Sequence, residues 1–317
     1  MSARIARLAM VCAALWSCAA AAQGDWSGVS AAMGRPGTEQ PGGVMRFSFP
    51  RSDLRVTLDG VAVRPALALG SWVAFRRASG GAMAMGDLVL AENEVAPVIS
   101  RLQQGGVDAS AVHNHLLREQ PRVMYVHLEA HGDPVRIAQT VHAALALTRT
   151  PMAAPPAASA SPAIALDTAA VARALGRSGR VNGGVLQVSV PRAEAVVMHG
   201  DTVPPAMGVA TAINFQPTGG GRAAATGDFV MTAGEVAGVL RALRDNGIEV
   251  TALHSHMTGE EPRLYFAHFW VNDDAVKIAR GLNAALAGMK VEKEVLSAKS
   301  QVPSELRLRT WDLGLGT

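Results

Sequence analysis

At 317 residues the chain is long enough for two domains, each with its own core. Aromatic residues make up only 4%, so those cores must be built mainly of small aliphatic side chains. The formal charge of +3 includes Arg4 and Arg7; setting these two aside leaves 27 of the 29 basic residues against 26 acidic ones, and this near-neutral balance argues against a nucleic-acid binder with a clustered basic face.

In chain order, residues 1–22 read as an export signal. Arg4 and Arg7 are its positive start, Leu8 to Trp16 its short apolar stretch, and Ala20-Ala21-Ala22 its small-residue cleavage site. The apolar run is too short for a spanning helix. Cleavage near Ala22 would give a periplasmic or secreted protein and would remove Cys12 and Cys18, leaving no disulfide framework and no thiolate metal site. In the alternative, Leu15-Trp16-Ser17-Cys18 serves as a lipoprotein signal and Cys18 becomes a lipid anchor, the one route by which this chain would meet a membrane.

The remainder is an internal duplication. A shift of 141 residues lays His113, His115 and His127 on His254, His256 and His268, and ten of the twenty-six residues from 113 to 138 are identical at that shift. Further matches pair Gly42-Gly43 with Gly183-Gly184, Pro50-Arg51 with Pro191-Arg192, Gly86-Asp87 with Gly227-Asp228, and Glu94-Val95 with Glu235-Val236. The expected organisation is a first repeat domain over 23–150, a Pro/Ala/Ser-rich linker over 151–163, a second repeat domain over 164–290 and a charged tail over 291–317.

Each copy reads as an α+β unit, an antiparallel sheet with flanking helices. A short helix (Trp26 to Met33; Asp167 to Leu175) stops at glycine. Extended segments follow at Gly43 to Phe49 and Leu54 to Leu58, with counterparts at Val185 to Val190 and Ala195 to Met198. Two more strands surround Trp72 to Phe75 and Asp87 to Leu90. Apolar residues at helical spacing predict helices over Glu92 to Gln104 and Ala233 to Asp245. A His-bearing β-hairpin comes next. A last helix is capped by Asp133 or Asp274.

The hairpins carry the chemistry. Residues i and i+2 of a strand share a face, so His113 points with His115 and His254 with His256. If the hairpin strands pair with an even residue sum, as in His256 opposite His268, the third histidine joins that face; an odd sum puts His127 and His268 behind the sheet. Three imidazoles and a carboxylate suit a divalent metal (Zn, Mn, Fe or Cu), and His113, His115, His127, His254, His256 and His268 are the candidate ligands. Glu119 and Glu260, in the connecting turns, are candidates for an oxygen ligand or a general base in metal-assisted hydrolysis. Arg122 and Arg263 could hold an anionic group of a small-molecule or envelope ligand, or pair with the turn glutamates. Asp87 and Asp228, each after glycine, read as turn residues, with a functional role left open by their recurrence. Tyr125, Phe266, Phe269 and Trp270 read as core. The alternative to a metal site is a non-catalytic module that binds an envelope component and holds its histidines by hydrogen bonds. The spacing His-x-His-x3-Glu is similar to the first cupin motif, but a cupin takes its last His from a distant motif, and here it follows within the hairpin.

The runs Ala252-Leu253-His254-Ser255-His256-Met257, Glu261-Pro262-Arg263-Leu264-Tyr265-Phe266 and His268-Phe269-Trp270 resemble the signature of the LppY/LpqO family, also known as domain of unknown function 1259. Pro50-Arg51-Ser52-Asp53-Leu54 and Gly86-Asp87-Leu88-Val89-Leu90 are similar to its other recurring stretches. The resemblance covers nearly all of the mature chain in two tandem copies. It implies export, often as a lipoprotein, and brings no catalytic residue. Copy one departs from it at Glu129-Ala130-His131, where copy two has Trp270-Val271-Asn272. If a single hairpin is active, the second is therefore the one expected.

Overall fold

The computed structural model describes residues 25–153 and 163–294. The signal-like segment with both cysteines, most of the linker and the tail beyond Glu294 lie outside these residues. Among the described residues no helix is long and apolar enough to cross a membrane.

Both copies have the same antiparallel sheet of six strands. In copy one the order is Thr38–Gln40, Val44–Pro50, Gly70–Ala78, Gly81–Ala91, Val123–Gly132 and, at the edge, Asp108–His113. In copy two it is Arg180–Asn182, Val185–Pro191, Ala210–Gly219, Arg222–Thr232, Leu264–Asp274 and Glu249–His254. Three helices cover one face of each sheet: Ser27–Ala32, Glu92–Gln104 and Pro134–Leu145 in the first, Thr168–Leu175, Ala233–Asp245 and Ala275–Leu286 in the second. The last helices start as the sequence predicts, with Asp133 accepting from the Val135 amide (2.9 Å) and Asp274 from the Lys277 amide (2.8 Å). Alternate strand residues supply the helix-side cores, Phe47, Phe49, Phe75 and Leu88 in one copy and Val188, Val190, Phe215 and Phe229 in the other.

The opposite faces of the two sheets meet each other. Met83, Met85 and Ala74 of copy one share a core with Val230, Leu264 and Phe266 of copy two, while Val89, Tyr125 and Leu69 pack with Val185, Ala224 and Trp270. The chain is thus four layers deep, helices outside and two sheets inside.

The segments expected to be extended at Leu54 to Leu58 and Ala195 to Met198 do not join the main sheets. Only Thr57–Leu58 and Val196–Met198 are strands, each turning back into a small ribbon. They belong to two arms that cross to the other copy. The first arm is held by side-chain amides of sheet two: Gln187 donates to Ala66 O (2.9 Å), Asn214 to Leu67 O (3.0 Å) and Gln216 to Ala62 O (2.8 Å). The second arm is held by guanidinium groups of sheet one, Arg46 to Ala206 O and Arg76 to Thr202 O, both at 2.7 Å. The copies are interlocked; neither buries its own inner sheet face.

A buried arginine fixes the corner where each arm leaves. Arg51 donates to Val89 O (2.6 Å) and Glu94 (2.8 Å); Arg192 donates to Val230 O (2.6 Å) and pairs with Glu235 (2.8 Å). Each glutamate also accepts the amide at its own helix start, Ala91 or Thr232, and an amide of the copy's last segment, Arg149 or Lys290. Burial acts to raise the Glu235 carboxyl, but Arg192 and the Lys290 and Thr232 amides outweigh it and hold the group at about 2. A depressed carboxyl adds stability that is present above its unfolded value, near 4.5, and lost as pH falls through about 2. Acid denaturation of Glu235→Gln, followed by far-UV circular dichroism, is therefore expected to show a flatter stability loss between those two pH values than wild type. Arg192→Ala, which leaves the glutamate without its partner, should cost about 3–5 kcal/mol in a urea melt at neutral pH.

Candidate metal centre

In each hairpin a β-bulge sets the histidine register. Asp108 and Ala109 pair with Glu129 and Leu128, an odd residue sum; after the bulge Ala111 pairs with His127 and His113 with Tyr125, an even one. Copy two repeats this, Val250 pairing with Phe269 before the bulge, and Ala252 with His268 and His254 with Phe266 after it. One extra residue in the edge strand thus moves His113 and His254 onto the face of His127 and His268. The parity is that required for a shared face, although the offset differs from His256 opposite His268: the edge strands end at His113 and His254, and His115 and His256 stand just beyond. The extra residue of copy two, Thr251, donates its hydroxyl to His115 O of copy one (2.5 Å).

The carboxylates come from the next strand. Asp87 lies directly opposite His127 and Asp228 directly opposite His268, in the middle of 11-residue strands and not in turns. The preceding glycines are required by sterics. A Cβ at Gly86 would crowd Trp72 O, and one at Gly227 would run into the Ala212 carbonyl. The Gly227 carbonyl in turn accepts from His268 Nδ1 (3.0 Å), which fixes that ring and leaves Nε2 as its lone-pair nitrogen.

Because the sheets pack face to face, the two sets of histidines form one cluster. His113 lies 3.7 Å from His254 between ring centroids, His115 stacks on His268 at 3.7 Å, and His127 on His256 at 3.6 Å. The last two contacts are each other's counterparts under the 141-residue shift, and the first is its own. The rings therefore obey a local two-fold axis that passes between His113 and His254. Tyr125 backs His115 at 3.4 Å and Phe266 backs His256 at 3.6 Å, so these two aromatics are both core and stacking partners.

The electrostatics follow from burial. Desolvation, reinforced in most rings by neighbouring histidines, pushes all six imidazoles below their ordinary range, His127 to about 3 and His254 to about 4. Burial likewise raises Asp87 to about 8, against an opposing pull from Arg46, and raises Asp228, with Asp87 adding to it. With neutral rings, the His–Asp approaches of 3.7–3.9 Å are neither ion pairs nor hydrogen bonds. Of nine described buried side-chain polar atoms without a partner, six are here: His113 Nδ1, His254 Nδ1, His127 Nε2, His268 Nε2, Asp87 Oδ1 and Asp228 Oδ1. Such a concentration of unmet polar atoms is unusual for a protein interior, where buried polar groups are nearly always paired.

Ligands held at 2.0–2.1 Å by one ion stand roughly 3.3 Å apart in a tetrahedron and at most about 4.2 Å apart. His113 Nε2 and His115 Nε2 are 3.1 Å apart, and His254 Nε2 and His256 Nε2 are 2.9 Å apart, separations that fit a hydrogen bond between the paired rings as well as two ligands of one ion. Two sets of ligand atoms lie within 4.8 Å of one another, His113 with His115 and His127, and His254, His256 and His268 together with His113. The histidine-rich groups can hold a metal.

The other predicted site residues stand elsewhere. Glu119 and Glu260 are buried in their turns, where they accept the Val123 amide (3.4 Å) and the Leu264 amide (2.9 Å). Each precedes a cis X-Pro bond, Gln120-Pro121 or Glu261-Pro262. Arg122 and Arg263 are exposed, and Arg263 reaches Glu260 at 3.4 Å. Asp87 and Asp228 are the site residues whose sequence context misled; the signal that could have found them was their repetition at the shift shared by the histidines.

The family model described as "Domain of Unknown Function (DUF1259)" matches residues 27–147 and again 169–288. No curated protein matches the chain. Among solved structures, the chain is similar to one described as "Crystal structure of a trimeric bacterial microcompartment shell protein PduB", with 12% identity over 83% of this chain and 97% of that one. The TM-score is 0.22, and no argument rests on that likeness.

The glycine–aspartate pairs give a direct check. Gly227→Ala, whose new methyl meets backbone and not a yielding side chain, should lower stability by about 1–3 kcal/mol in thermal melts. An unchanged melting temperature would mean that the adjoining strand has room to move.

Proposed function

Since the chain belongs to the DUF1259 family in both halves, and that family's name assigns no activity, we propose from the geometry that it is an exported protein that binds divalent transition metal at the histidine cluster between its two copies. The observation that carries this reading is the convergence of three imidazoles from each copy around one local two-fold axis, with His127 Nε2, His268 Nε2, Asp87 Oδ1 and Asp228 Oδ1 buried there without partners. Each half offers three imidazoles and one carboxylate: His113, His115, His127 and Asp87, or His254, His256, His268 and Asp228. This donor set suits Zn, Mn, Fe or Cu. Neutral imidazoles present lone pairs to an ion at neutral pH, whereas Asp87 and Asp228, both raised by burial, would give up a proton as the ion binds. Glu119 and Glu260 play no part in this reading, because amides of their own turns occupy them. Export rests on Arg4, Arg7 and the apolar stretch before Ala20-Ala21-Ala22.

Chelator-treated protein titrated with Zn²⁺ or Co²⁺ should bind two ions per chain, one for each half. At a free concentration 100-fold above Kd, each site should add about 2.7 kcal/mol of stability, read as a rise in melting temperature. Because the halves share one cluster, His115→Ala and His256→Ala should weaken binding to similar extents; a loss confined to His256→Ala would mark the second hairpin as the single active one. Absence of saturable binding to the chelator-treated wild type would overturn the assignment.

A further inference from the structure

The two-fold axis relates the histidines and aspartates residue for residue, but not what flanks them. Along the strand that bears His127, residues 129 and 131 fall on the same face and lead outward, about 7 Å per pair of residues. In copy one these are Glu129 and His131; in copy two the 141-residue shift puts Trp270 and Asn272 there. The residue two places after the second hairpin histidine changes in step: Thr258 follows His256, and Leu117 follows His115.

On the copy-two side the path is shut. Trp270 is buried, packs in the shared core and donates its indole N–H to Asp59 (3.1 Å), which Arg118 ties to Glu249. On the copy-one side it is polar. Glu129 is nine-tenths buried; one carboxylate oxygen accepts the Thr258 hydroxyl (2.7 Å), and the other is buried with no partner. Beyond it His131 and His199, both exposed, meet edge to face at 4.8 Å, with Asp201 close enough to act on the His131 imidazole. Between the exposed surface and His127, the copy-one side thus carries a carboxylate and two imidazoles beside the buried Met83 and Met85, while the counterpart of the carboxylate is an indole.

We infer that cations reach the histidine cluster from one side only, passed inward through His131, His199 and Asp201 to the free oxygen of Glu129. The inference rests on the metal-binding reading above. A buried carboxylate with one committed and one uncommitted oxygen can take an ion from the outer imidazoles and release it to the inner ones, and acidic groups along an approach attract cations to it.

The test is the rate of Co²⁺ uptake by the metal-free full chain, measured by stopped-flow absorbance, alongside the equilibrium stoichiometry. Glu129→Gln should slow uptake by about tenfold or more while the number of ions bound stays that of wild type. His131→Ala, at the exposed outer end where folding is not at stake, should slow it about threefold, and its counterpart Asn272→Ala should leave the rate unchanged. If Glu129→Gln and His131→Ala load as fast as wild type, the one-sided route is overturned and the metal centre stands. If Glu129→Gln folds and binds fewer ions at equilibrium, Glu129 is a ligand and the route is again overturned. If wild type takes up no Co²⁺, the metal centre and the route fall together.

Discussion

Six imidazole rings in contact, three buried and three half-buried, resist taking up a second proton. Each added charge would lose much of its hydration and face its neighbours' charges at ring-stacking distance, so burial and the neighbouring rings favour the neutral form. The rest of the molecule serves that constraint. The sheets turn their inner faces to each other, which removes water from the rings, and the crossing arms close the apolar perimeter around them. Neutral rings keep their lone pairs, and the two aspartates stand 3.7–3.9 Å from the nearest imidazole nitrogens, beyond hydrogen-bond reach.

Positioning depends on backbone detail more than on the histidines themselves. The glycine before each aspartate lets two strands approach closer than any side chain would allow, and the bulge before each edge histidine reverses which face it presents. Two residues beyond each aspartate, the strand carbonyl is held by the buried arginine that also fixes the following helix and the copy's last segment. The arm, the aspartate-bearing strand and the helix start of each copy are therefore fixed at one point.

Much of this was legible in the sequence. The duplication, the α+β class, the helices over Glu92–Gln104 and Ala233–Asp245 and the capping aspartates follow from periodicity, spacing and capping chemistry. The even register of the hairpin histidines could be framed as a condition but not decided, since it turns on a single extra residue in the edge strand. Asp87 and Asp228 were harder. Glycine–aspartate is a turn signal, and the strand around Asp87 is buried on both faces, so it shows no alternation to betray it. The merging of two sites into one was out of reach, because nothing within one copy states how it faces the other. The arms show the same limit: Leu54 to Leu58 has an extended composition, but the partner it crosses to lies far along the chain.

The tandem arrangement has a consequence for how such a site can change. Were the two copies separate molecules forming a symmetric dimer, one gene would encode both halves, and a substitution beside one set of histidines would be made beside the other as well. Joined in one chain, the halves vary independently. Glu129 could become or remain acidic while its counterpart settled as Trp270, with neither change imposed on the other. Covalent linkage here supplies more than local concentration. It gives a symmetric set of histidines and aspartates the freedom to have flanking residues of unlike sequence, which an assembly of identical subunits cannot encode.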